Sequence, residues 1–287
     1  MNFAMTGGEG LIGQKLKKRL EQKGDKCNLE IDMRKGSNIL NINDMHYNKD
    51  TQPIDVFYHL AASCSINKCI ENPRLAHYNN AEGTFQALEF CRKNDIPKIV
   101  YASSSRVLSP EENPYTASKK YAEHLVEAYK QCYGLEHIIV RPSTVYGDNH
   151  HDLTTRLITK WVINAMKNKP LVLYGDDNKT LDFTHVDDFI DGVELLIDKW
   201  DKSKNQAYDI CGDDQRKLVD VAKMIIKETD SKSPVYYASA ERAQPQNVKI
   251  DISNMRSFGY EPKIKIEEGI KRLVEFYKGE GQKWITN

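Results

Sequence analysis

A short stretch of this chain holds the residue types that move a proton during hydride transfer. Ser103, Ser104 and Ser105 precede Tyr115, and Lys119 follows the tyrosine by four positions. In a helix, that spacing puts the phenol and the ammonium one turn apart on the same face. A free phenol has a pKa of about 10, so a tyrosine working near neutrality needs its phenolate favoured, and a neighbouring cation does this. With 15 Tyr and 41 Lys+Arg, one such pair is expected by chance, so its surroundings decide.

The elements that must position this set alternate between short apolar strands and helical patterns. Strands are expected at 3–5, 27–31, 56–60, 98–102 and 137–140, and helices at 12–23, 80–92 and 115–133. Such alternation predicts an α/β fold with a doubly wound parallel sheet of the Rossmann type. After residue 142 the rhythm loosens, which indicates a smaller α/β substrate-binding lobe. We expect residues 1–145 and 182–202 to form the dinucleotide-binding domain, interleaved with a lobe of 146–181 and 203–287.

A glycine-rich turn joins the first strand to the first helix, where a dinucleotide-binding loop belongs. Gly7 permits the tight turn, Gly10 lets the backbone approach a pyrophosphate, and Gly13 allows close helix packing. The helix N-terminus at Leu11 and Ile12 favours the phosphate charge. A glycine motif alone is weak evidence, because an ordinary strand-to-helix turn also uses glycine.

Asp32 strengthens this interpretation because it ends the next predicted strand, 19 residues after Gly13. A carboxylate there accepts a hydrogen bond from the adenosine ribose and repels a 2′-phosphate. We therefore expect NAD rather than NADP. Arg34 argues the other way, since a cation two positions on is able to accept that phosphate.

The composition of the chain limits the classes of partner that we expect the protein to bind. The 41 acidic and 41 basic residues cancel, which leaves no electrostatic footprint for nucleic acid or an anionic membrane. No apolar run approaches the ~18 residues of a membrane span, and the glycine turn begins too early for a signal peptide. The six cysteines lack paired or metal-type spacing. We expect a soluble cytoplasmic protein with reduced thiols and no metal site.

In their order along the chain, these motifs resemble the extended short-chain dehydrogenase/reductase family, and within it the NAD-dependent epimerase/dehydratase group that acts on nucleotide sugars. The resemblance covers nearly the whole chain. It is carried by TGGEGLIG at 6–13, HLAA at 59–62, NAEGT at 80–84, YASSS at 101–105, the Tyr115–Lys119 pair, RPSTVYG at 141–147, YGD at 174–176, DFTHVDD at 182–188 and FGYEP at 258–262.

The resemblance implies a role for each matching residue. Tyr115 would be the acid/base at a sugar hydroxyl, Lys119 would hold the nicotinamide ribose, and Ser104 would share the proton. Further cofactor contacts would come from Leu60, Ala61, Ala62, Asn80, Ser103 and Pro142, with Asn41 and Ile42 over the adenine. Substrate contacts would come from Ser65, Ser105, Thr144, Tyr174 and Arg242.

On the substrate side the chain departs from the family pattern. Thr144 stands where relatives carry Asn, and Leu181 stands where they carry an Arg that clamps a diphosphate. Arg242 or Lys179 are candidates to compensate, although for Lys179 we favour a solvated surface charge. Tyr174 would either stack on a nucleobase or pack as a core aromatic.

The resemblance implies an epimerase of carbohydrate biosynthesis that oxidises a sugar C4 hydroxyl transiently and reduces it from the opposite face. A 4,6-dehydratase is disfavoured, because relatives of that type have an acidic pair where this chain has Ser105 and Arg106. A net oxidoreductase, either a dehydrogenase or a 4-keto-reductase, and a non-catalytic dinucleotide-binding protein remain alternatives. We also expect a homodimer formed by the helices at 80–92 and 115–133. The short segment 106–114 predicts an unusually open pocket.

Overall fold

The computed structural model describes residues 1–148, 156–245 and 247–285. Its contacts divide into two compact units, an N-terminal unit of Met1–Pro142 with Val193–Asp209 and a second unit of Ser143–Gly192 with Ile210–Asn287. The units interleave, but their boundaries differ from those expected from the sequence. Residues 182–192 fall in the second unit and 203–209 in the N-terminal unit, because the strands they contain pair there.

Eleven strands lie in the described part of the chain. They are β1 Asn2–Thr6, β2 Lys26–Ile31, β3 Val56–His59, β4 Lys98–Ala102, β5 Glu136–Pro142, β6 Thr144–Tyr146, β7 Leu171–Tyr174, β8 Thr180–His185, β9 Gln206–Ile210, β10 Gln215–Lys217 and β11 Val235–Ala238. The five strands expected from the sequence correspond to β1–β5.

The described α-helices are α1 Leu11–Gln22, α2 Ile66–Glu71, α3 Pro73–Leu75, α4 Gly83–Lys93, α5 Pro114–Tyr133, α6 Leu157–Met166, α7 Val186–Asp198, α8 Trp200–Ser203, α9 Leu218–Glu228, α10 Ser253–Ser257, α11 Ile266–Lys278 and α12 Gln282–Ile285. A π-helix over Ala76–Glu82 runs directly into α4, and 3₁₀ turns cover Met33–Lys35, Ile39–Asp44 and Ser105–Leu108. Among the helices of the described residues, none combines the length and the apolar character needed to cross a membrane.

The N-terminal unit is built on a six-stranded sheet in the order β2-β1-β3-β4-β5-β9. Each neighbouring pair from β2 through β5 is parallel, so the expected doubly wound sheet is confirmed. The strand order reverses at β1, with β2 on one side and β3 on the other. In open α/β sheets, ligands bind beyond the carboxyl ends of the strands at such a switch point. The glycine turn that follows β1 lies at this position.

Helix α5 presents the Tyr/Lys pair on its buried face. Asn113 caps the helix by accepting the Thr116 N–H at 3.0 Å, and Pro114 occupies its first turn. The helix ends at Gly134, whose φ of +76° suits a left-handed cap. Tyr115 and Lys119 are buried on the same helical stripe, which also carries Ala122, Val126 and Tyr129.

The second unit contains a three-stranded sheet, β10-β8-β6, and a parallel pair of β11 and β7. Asp182 in β8 ties the first of these sheets to the chain after β9. Its carboxylate accepts the backbone N–H groups of Gly212 and Asp214, each at 3.1 Å. Helices α6, α9 and α11 pack against one another in this unit.

Candidate active site

The glycine turn is shaped by two positions where no side chain fits. At Gly7, whose φ is +72°, an added Cβ would lie 2.7 Å from the backbone nitrogen of Ala61. At Gly13 it would lie 2.1 Å from the carbonyl oxygen of Gly7. At Gly10 the nearest atom would be that same oxygen at 3.3 Å, so internal packing leaves this position comparatively open. A ligand that lies close against the protein backbone explains a glycine there better than packing does. A pyrophosphate would be such a ligand.

Asp32 stands beside this turn at the end of β2. One carboxylate oxygen accepts the Glu9 backbone N–H at 3.0 Å and the other accepts that of Arg34 at 2.9 Å. The side chain is buried at 7% exposure, so these bonds fix its orientation. A carboxylate has about four acceptor positions, and two remain for a ribose hydroxyl.

The HLAA segment is held against the same turn by Thr6. Its hydroxyl oxygen accepts the N–H groups of Leu60 and Ala61 at 3.2 and 3.1 Å and lies 2.7 Å from His59 Nδ1. The other ring nitrogen of His59 lies 3.2 Å from the Thr84 hydroxyl. Burial lowers the pKa of His59 to about 3, so the imidazole is neutral and structural. Ala62 continues this segment and is partly buried.

Ser104, Tyr115 and Lys119 are brought together in the N-terminal unit, each less than 10% exposed. The Ser104 hydroxyl acts on the Tyr115 phenol by lowering its pKa. The Lys119 ammonium donates to the Ala102 carbonyl oxygen at 2.8 Å and lies 5.0 Å from the centroid of the Tyr101 ring. The geometry therefore supports the hydroxyl, phenol and ammonium as one proton-handling group.

Burial governs the electrostatics of this group. It raises the pKa of Tyr115 to about 12, against the hydrogen bond from Ser104 and the charge of Arg106, which both lower it. Burial also lowers the pKa of Lys119 to about 8, partly offset by the charges of Cys64 and Glu123. The cation that lowers the phenol pKa is Arg106 rather than the expected Lys119, and desolvation outweighs its effect.

The residues present fit a bound dinucleotide. Ser103 Oγ is buried without a hydrogen-bond partner among the described residues, which a ligand group would satisfy. Ser103, the turn that contains Gly10, and Asp32 follow strands β4, β1 and β2 respectively. They therefore lie along the same carboxyl edge of the sheet. Leu11 and Ile12, which follow the turn, open helix α1 as expected.

Other predicted cofactor residues have contacts of their own. Asn80 uses its amide on the backbone of Ser63 and on the Ser118 hydroxyl, so it links the HLAA segment to α5. Ile42 is fully buried in the hydrophobic core, whereas its neighbour Asn41 is exposed. Pro142 ends β5 and is partly exposed. Their assignment to the cofactor stays a prediction.

The predicted substrate residues are spread over both units. In the N-terminal unit, Ser65 caps α2 by accepting the Lys68 N–H at 3.4 Å, and Ser105 is buried. In the second unit, Thr144 opens β6, Tyr174 ends β7 at 37% exposure, and Arg242 is exposed. Tyr174 is therefore not a core aromatic.

Lys179 is not the solvated surface charge that the sequence suggested. Its side chain is 4% exposed, and its ammonium pairs with the Glu241 carboxylate at 2.9 Å. An isolated buried ammonium is costly, so the partner supplied from 62 positions along the chain explains how this lysine is buried. That partnership leaves Lys179 poorly placed to compensate for the missing arginine.

Sequence reasoning missed the cation nearest to the departure at Leu181. Arg216 on β10 pairs directly with Leu181 on β8 in an antiparallel register, so the two side chains share a face. The guanidinium bonds Asp214 at 2.6 Å and Glu267 at 3.1 Å. Only strand register reveals this neighbour, because 35 positions separate the two residues in the sequence.

Arg106 and Cys64 were also missed as electrostatic neighbours of Tyr115. Arg106 donates its backbone N–H to Ser104 Oγ at 3.2 Å, and its charge lowers the pKa of the phenol. The exposed Cys64 lies two positions after the HLAA segment, and its electrostatic effect raises the pKa of both Tyr115 and Lys119. Two features of the sequence indicate these neighbours: Cys64 lies close to the HLAA segment, and Arg106 lies close to Ser104.

A cavity of about 460 Å³ adjoins the short segment after the serines, but the catalytic set does not line it. Its walls come from Val107, Leu108, Lys120, Glu123, His124, Glu127, His137, Ile139, Arg141, Asn205, Gln206 and Ala207. The expected openness of the catalytic pocket is a separate matter and stays a prediction. Within the described residues, no cluster of His, Cys, Asp or Glu side chains is arranged to hold a metal ion.

A glycine turn at the switch point of a parallel sheet, joined to a buried Ser/Tyr/Lys set, defines a dinucleotide-dependent enzyme of the short-chain dehydrogenase/reductase type. Residues 3–211 match the NAD dependent epimerase/dehydratase family. The chain therefore belongs to that family, as its motifs indicated, and NAD is the cofactor.

Several known proteins are similar over most of the chain. A UDP-glucuronate 4-epimerase of Thermodesulfobacterium geofontis is 29% identical over 80% of this chain and 74% of its own. Among solved structures, a UDP-glucose 4-epimerase of Thermotoga maritima gives a TM-score of 0.85 at 21% identity, covering 98% and 99% of the two chains. A UDP-glucuronic acid 4-epimerase of Bacillus cereus, solved with UDP-glucuronic acid and NAD, gives 0.84 at 24% identity, covering 97% and 99%. The two structures support the fold.

Proposed function

We propose that this protein is a nucleotide-sugar 4-epimerase that oxidises a sugar C4 hydroxyl transiently and reduces it again. The observation that carries the proposal is the buried Ser104, Tyr115 and Lys119 set, in a unit that also holds the glycine turn and Asp32. The family membership supports the same conclusion.

NAD, when bound, supplies the acceptor and donor of the hydride. The protein supplies the proton handling and the geometry. As the phenolate, Tyr115 would take the proton of the C4 hydroxyl as the hydride leaves, and would return it when the hydride comes back. Ser104, which favours the phenolate, would share that proton, and Lys119 would stabilise the negative charge on the phenolate oxygen.

The first experiment replaces Tyr115 by Phe and measures epimerisation of UDP-hexoses together with NAD binding by calorimetry. General acid/base action contributes about 10²–10⁴-fold, so turnover should fall on that scale while the NAD dissociation constant stays within about twofold. Tyr121→Phe, on the exposed face of the same helix, is the matched control and should leave both unchanged. Near-normal turnover in the Tyr115 variant would refute the proposal.

The same assay separates the alternatives. An epimerase turns over without net change in NADH, whereas a dehydrogenase or 4-keto-reductase consumes or produces one NADH per cycle. A non-catalytic dinucleotide-binding protein would show neither, and the buried Ser/Tyr/Lys set disfavours it. A 4,6-dehydratase needs an acid and a base at the positions of Ser105 and Arg106, which are a hydroxyl and a cation.

For the sugar, we propose a hexuronate, because a cation stands beside the catalytic phenol. Arg106 bonds Ser104 through its backbone, and its charge reaches Tyr115. In a hexuronate the carboxylate carbon is two bonds from C4, so a group reacting at Tyr115 brings that carboxylate close to this guanidinium. A relative that is 29% identical is a UDP-glucuronate 4-epimerase.

Arg106→Met tests the choice of sugar. It should lower kcat/KM for UDP-glucuronate about tenfold or more relative to UDP-glucose, since a charge-assisted hydrogen bond contributes about 1.5–3 kcal/mol. Arg242→Met, in which an exposed guanidinium is removed from the second unit, should affect both substrates equally if it contacts the nucleotide. An unchanged ratio in Arg106→Met would exclude the hexuronate assignment.

For the nucleotide, we propose that Tyr174 stacks on the base and that Arg242 contacts the diphosphate, with Thr144 near the sugar. The 37% exposure of Tyr174 supports this, since its ring is available for stacking. Tyr174→Ala should raise KM for the nucleotide sugar with little change in kcat, because the base does not react. A change confined to kcat would contradict the assignment.

We further propose a cytoplasmic homodimer that acts in carbohydrate biosynthesis. The six cysteines form no disulfide among the described residues, which suits a reducing compartment. For the dimer, α5 and the π-helix that leads into α4 carry exposed tyrosines, Tyr121 at 50% and Tyr78 at 46%. Light scattering should find a dimer that Tyr121→Glu dissociates and Tyr236→Glu, an equally exposed change elsewhere, leaves intact.

A further inference from the structure

Two carboxylates beside the glycine turn hold one lysine. The Lys35 ammonium lies 2.8 Å from a carboxylate oxygen of Glu9, within the turn, and 2.8 Å from one of Glu30 on β2. Lys17 of α1 adds a second ammonium at 2.6 Å from Glu30. The bonds to Glu30 and Glu9 raise the pKa of Lys35, so its charge is secure at any physiological pH.

This cluster is continuous with the carboxylate assigned to the adenosine ribose. The Glu9 backbone N–H donates to Asp32 at 3.0 Å, so the residue that holds Lys35 also touches Asp32. Glu30 lies against the turn itself, since a Cβ added at Gly8 would meet its carboxylate oxygen at 2.3 Å. Lys35 is thus three positions from Asp32 and is committed to two other carboxylates.

A 2′-phosphate on that ribose would need cations, whereas a 2′-hydroxyl needs only an acceptor. Two cations close to Asp32 along the chain have the charge to bind such a phosphate: the exposed Arg34, and Lys35, whose flexible side chain is 44% exposed. To do so Lys35 would have to leave Glu9 and Glu30; Glu30 would keep its bond to Lys17, whereas Glu9 would lose the ammonium of Lys35. Because Lys35 is 44% exposed, each of its two ion pairs contributes about 0–1 kcal/mol.

We propose that Glu9 and Glu30 are cofactor-selecting residues, which keep Lys35 away from the ribose and thereby weaken the binding of a 2′-phosphorylated dinucleotide. The inference rests on the proposed placement of the ribose at Asp32. We call the two carboxylates of Glu9 and Glu30 that hold Lys35 the clasp. The inference assigns part of the NAD preference to this clasp, in addition to repulsion of the 2′-phosphate by Asp32.

The test measures dissociation constants for NAD and NADP by calorimetry, with 2′-AMP and 5′-AMP as smaller probes. Glu9→Gln should tighten NADP and 2′-AMP about tenfold, the value of one charge-assisted hydrogen bond to phosphate, and leave NAD and 5′-AMP within about twofold. Glu21→Gln removes an exposed carboxylate from α1 and should change neither.

The double variant Glu9→Gln with Lys35→Met identifies the mediator. If Lys35 is the group released, the gain in NADP affinity disappears in the double variant. An equal gain there would show that loss of negative charge is responsible, and would overturn the inference, as would unchanged NADP affinity in both Glu9→Gln and Glu30→Gln.

Asp32→Ser distinguishes this failure from a failure of the underlying assignment. Weaker NAD binding in Asp32→Ser supports the ribose placement whatever the Glu9 variants do. Unchanged NAD affinity there would refute the placement itself, and with it the clasp.

Discussion

Two glycines of the cofactor turn, Gly10 and Gly13, are expected to fail in different ways when each is replaced by Ala. At Gly10, φ is −77°, which Ala adopts without strain, and the added Cβ would meet only one oxygen at 3.3 Å. At Gly13, the Cβ would lie 2.1 Å from the Gly7 carbonyl oxygen, far inside van der Waals contact. Gly10→Ala should therefore report on ligand approach, and Gly13→Ala on folding.

The sizes follow from these contacts. Gly→Ala at a compatible φ stabilises by about 0.4–1 kcal/mol through the unfolded chain, which the tight 3.3 Å contact offsets, so Gly10→Ala should change stability by less than about 1 kcal/mol. Overpacking against backbone costs about 1–3 kcal/mol or more, which places Gly13→Ala at about 3 kcal/mol. At about 2–4 °C per kcal/mol, these values separate the two variants by about 4 °C or more in Tm.

The assay is thermal unfolding without ligand, followed by NAD titration in a calorimeter. Gly10→Ala should melt near the wild-type temperature yet bind NAD at least tenfold more weakly, because its methyl group occupies the path of the pyrophosphate. Gly24→Ala, with φ of +89° and nothing within 4 Å, controls for glycine replacement and should lose about 1 kcal/mol with unchanged NAD affinity. Wild-type NAD affinity in Gly10→Ala would refute the reasoning.

Three further predictions concern buried groups. The pKa of Lys119 is about 8 in the folded protein and 10.5 in an unfolded chain, so between these pH values the unfolded chain binds the extra proton. The free energy of unfolding should therefore rise with pH in this range. Urea titrations should show the rise in the wild type and not in Lys119→Met. His59, with a pKa of about 3, protonates near pH 6.5 only when unfolded, so stability should fall as pH drops from about 6.5, and chemical denaturation of His59→Gln should lack that slope. Asn113→Ala removes the α5 cap and should cost about 1 kcal/mol, measured by urea unfolding; no loss would mean that Pro114 suffices to start the helix.

Much of the cofactor site is readable in the sequence because its signals are local. The spacing of Gly7, Gly10 and Gly13 reflects contacts within a single turn, and Asp32 ends the strand paired with β1. The start of α5 is equally local, since Asn113 and Pro114 are a cap and a first-turn residue. Strands, helices and the turn could therefore be predicted without knowledge of tertiary contacts.

The substrate side resisted prediction because its determinants are non-local. Arg216 stands beside Leu181 only through the register of β10 on β8. Lys179 is buried only because Glu241 reaches it from a distant segment. No pattern in the sequence around either cation indicates its partner, so their surface or buried state could not be inferred from spacing.

The pKa values of the catalytic pair bear on how the proton moves. With a phenol pKa of about 12, deprotonating Tyr115 in advance at pH 7 would cost about 7 kcal/mol, at about 1.4 kcal/mol per unit. A stored phenolate is therefore a poor description of the resting site. The resting phenol must therefore release its own proton before Tyr115 can accept that of the C4 hydroxyl, so the reactive form of the residue is the phenolate. Lys119, at about 8, keeps most of its charge at pH 7, so its role is to lower the cost of forming that phenolate.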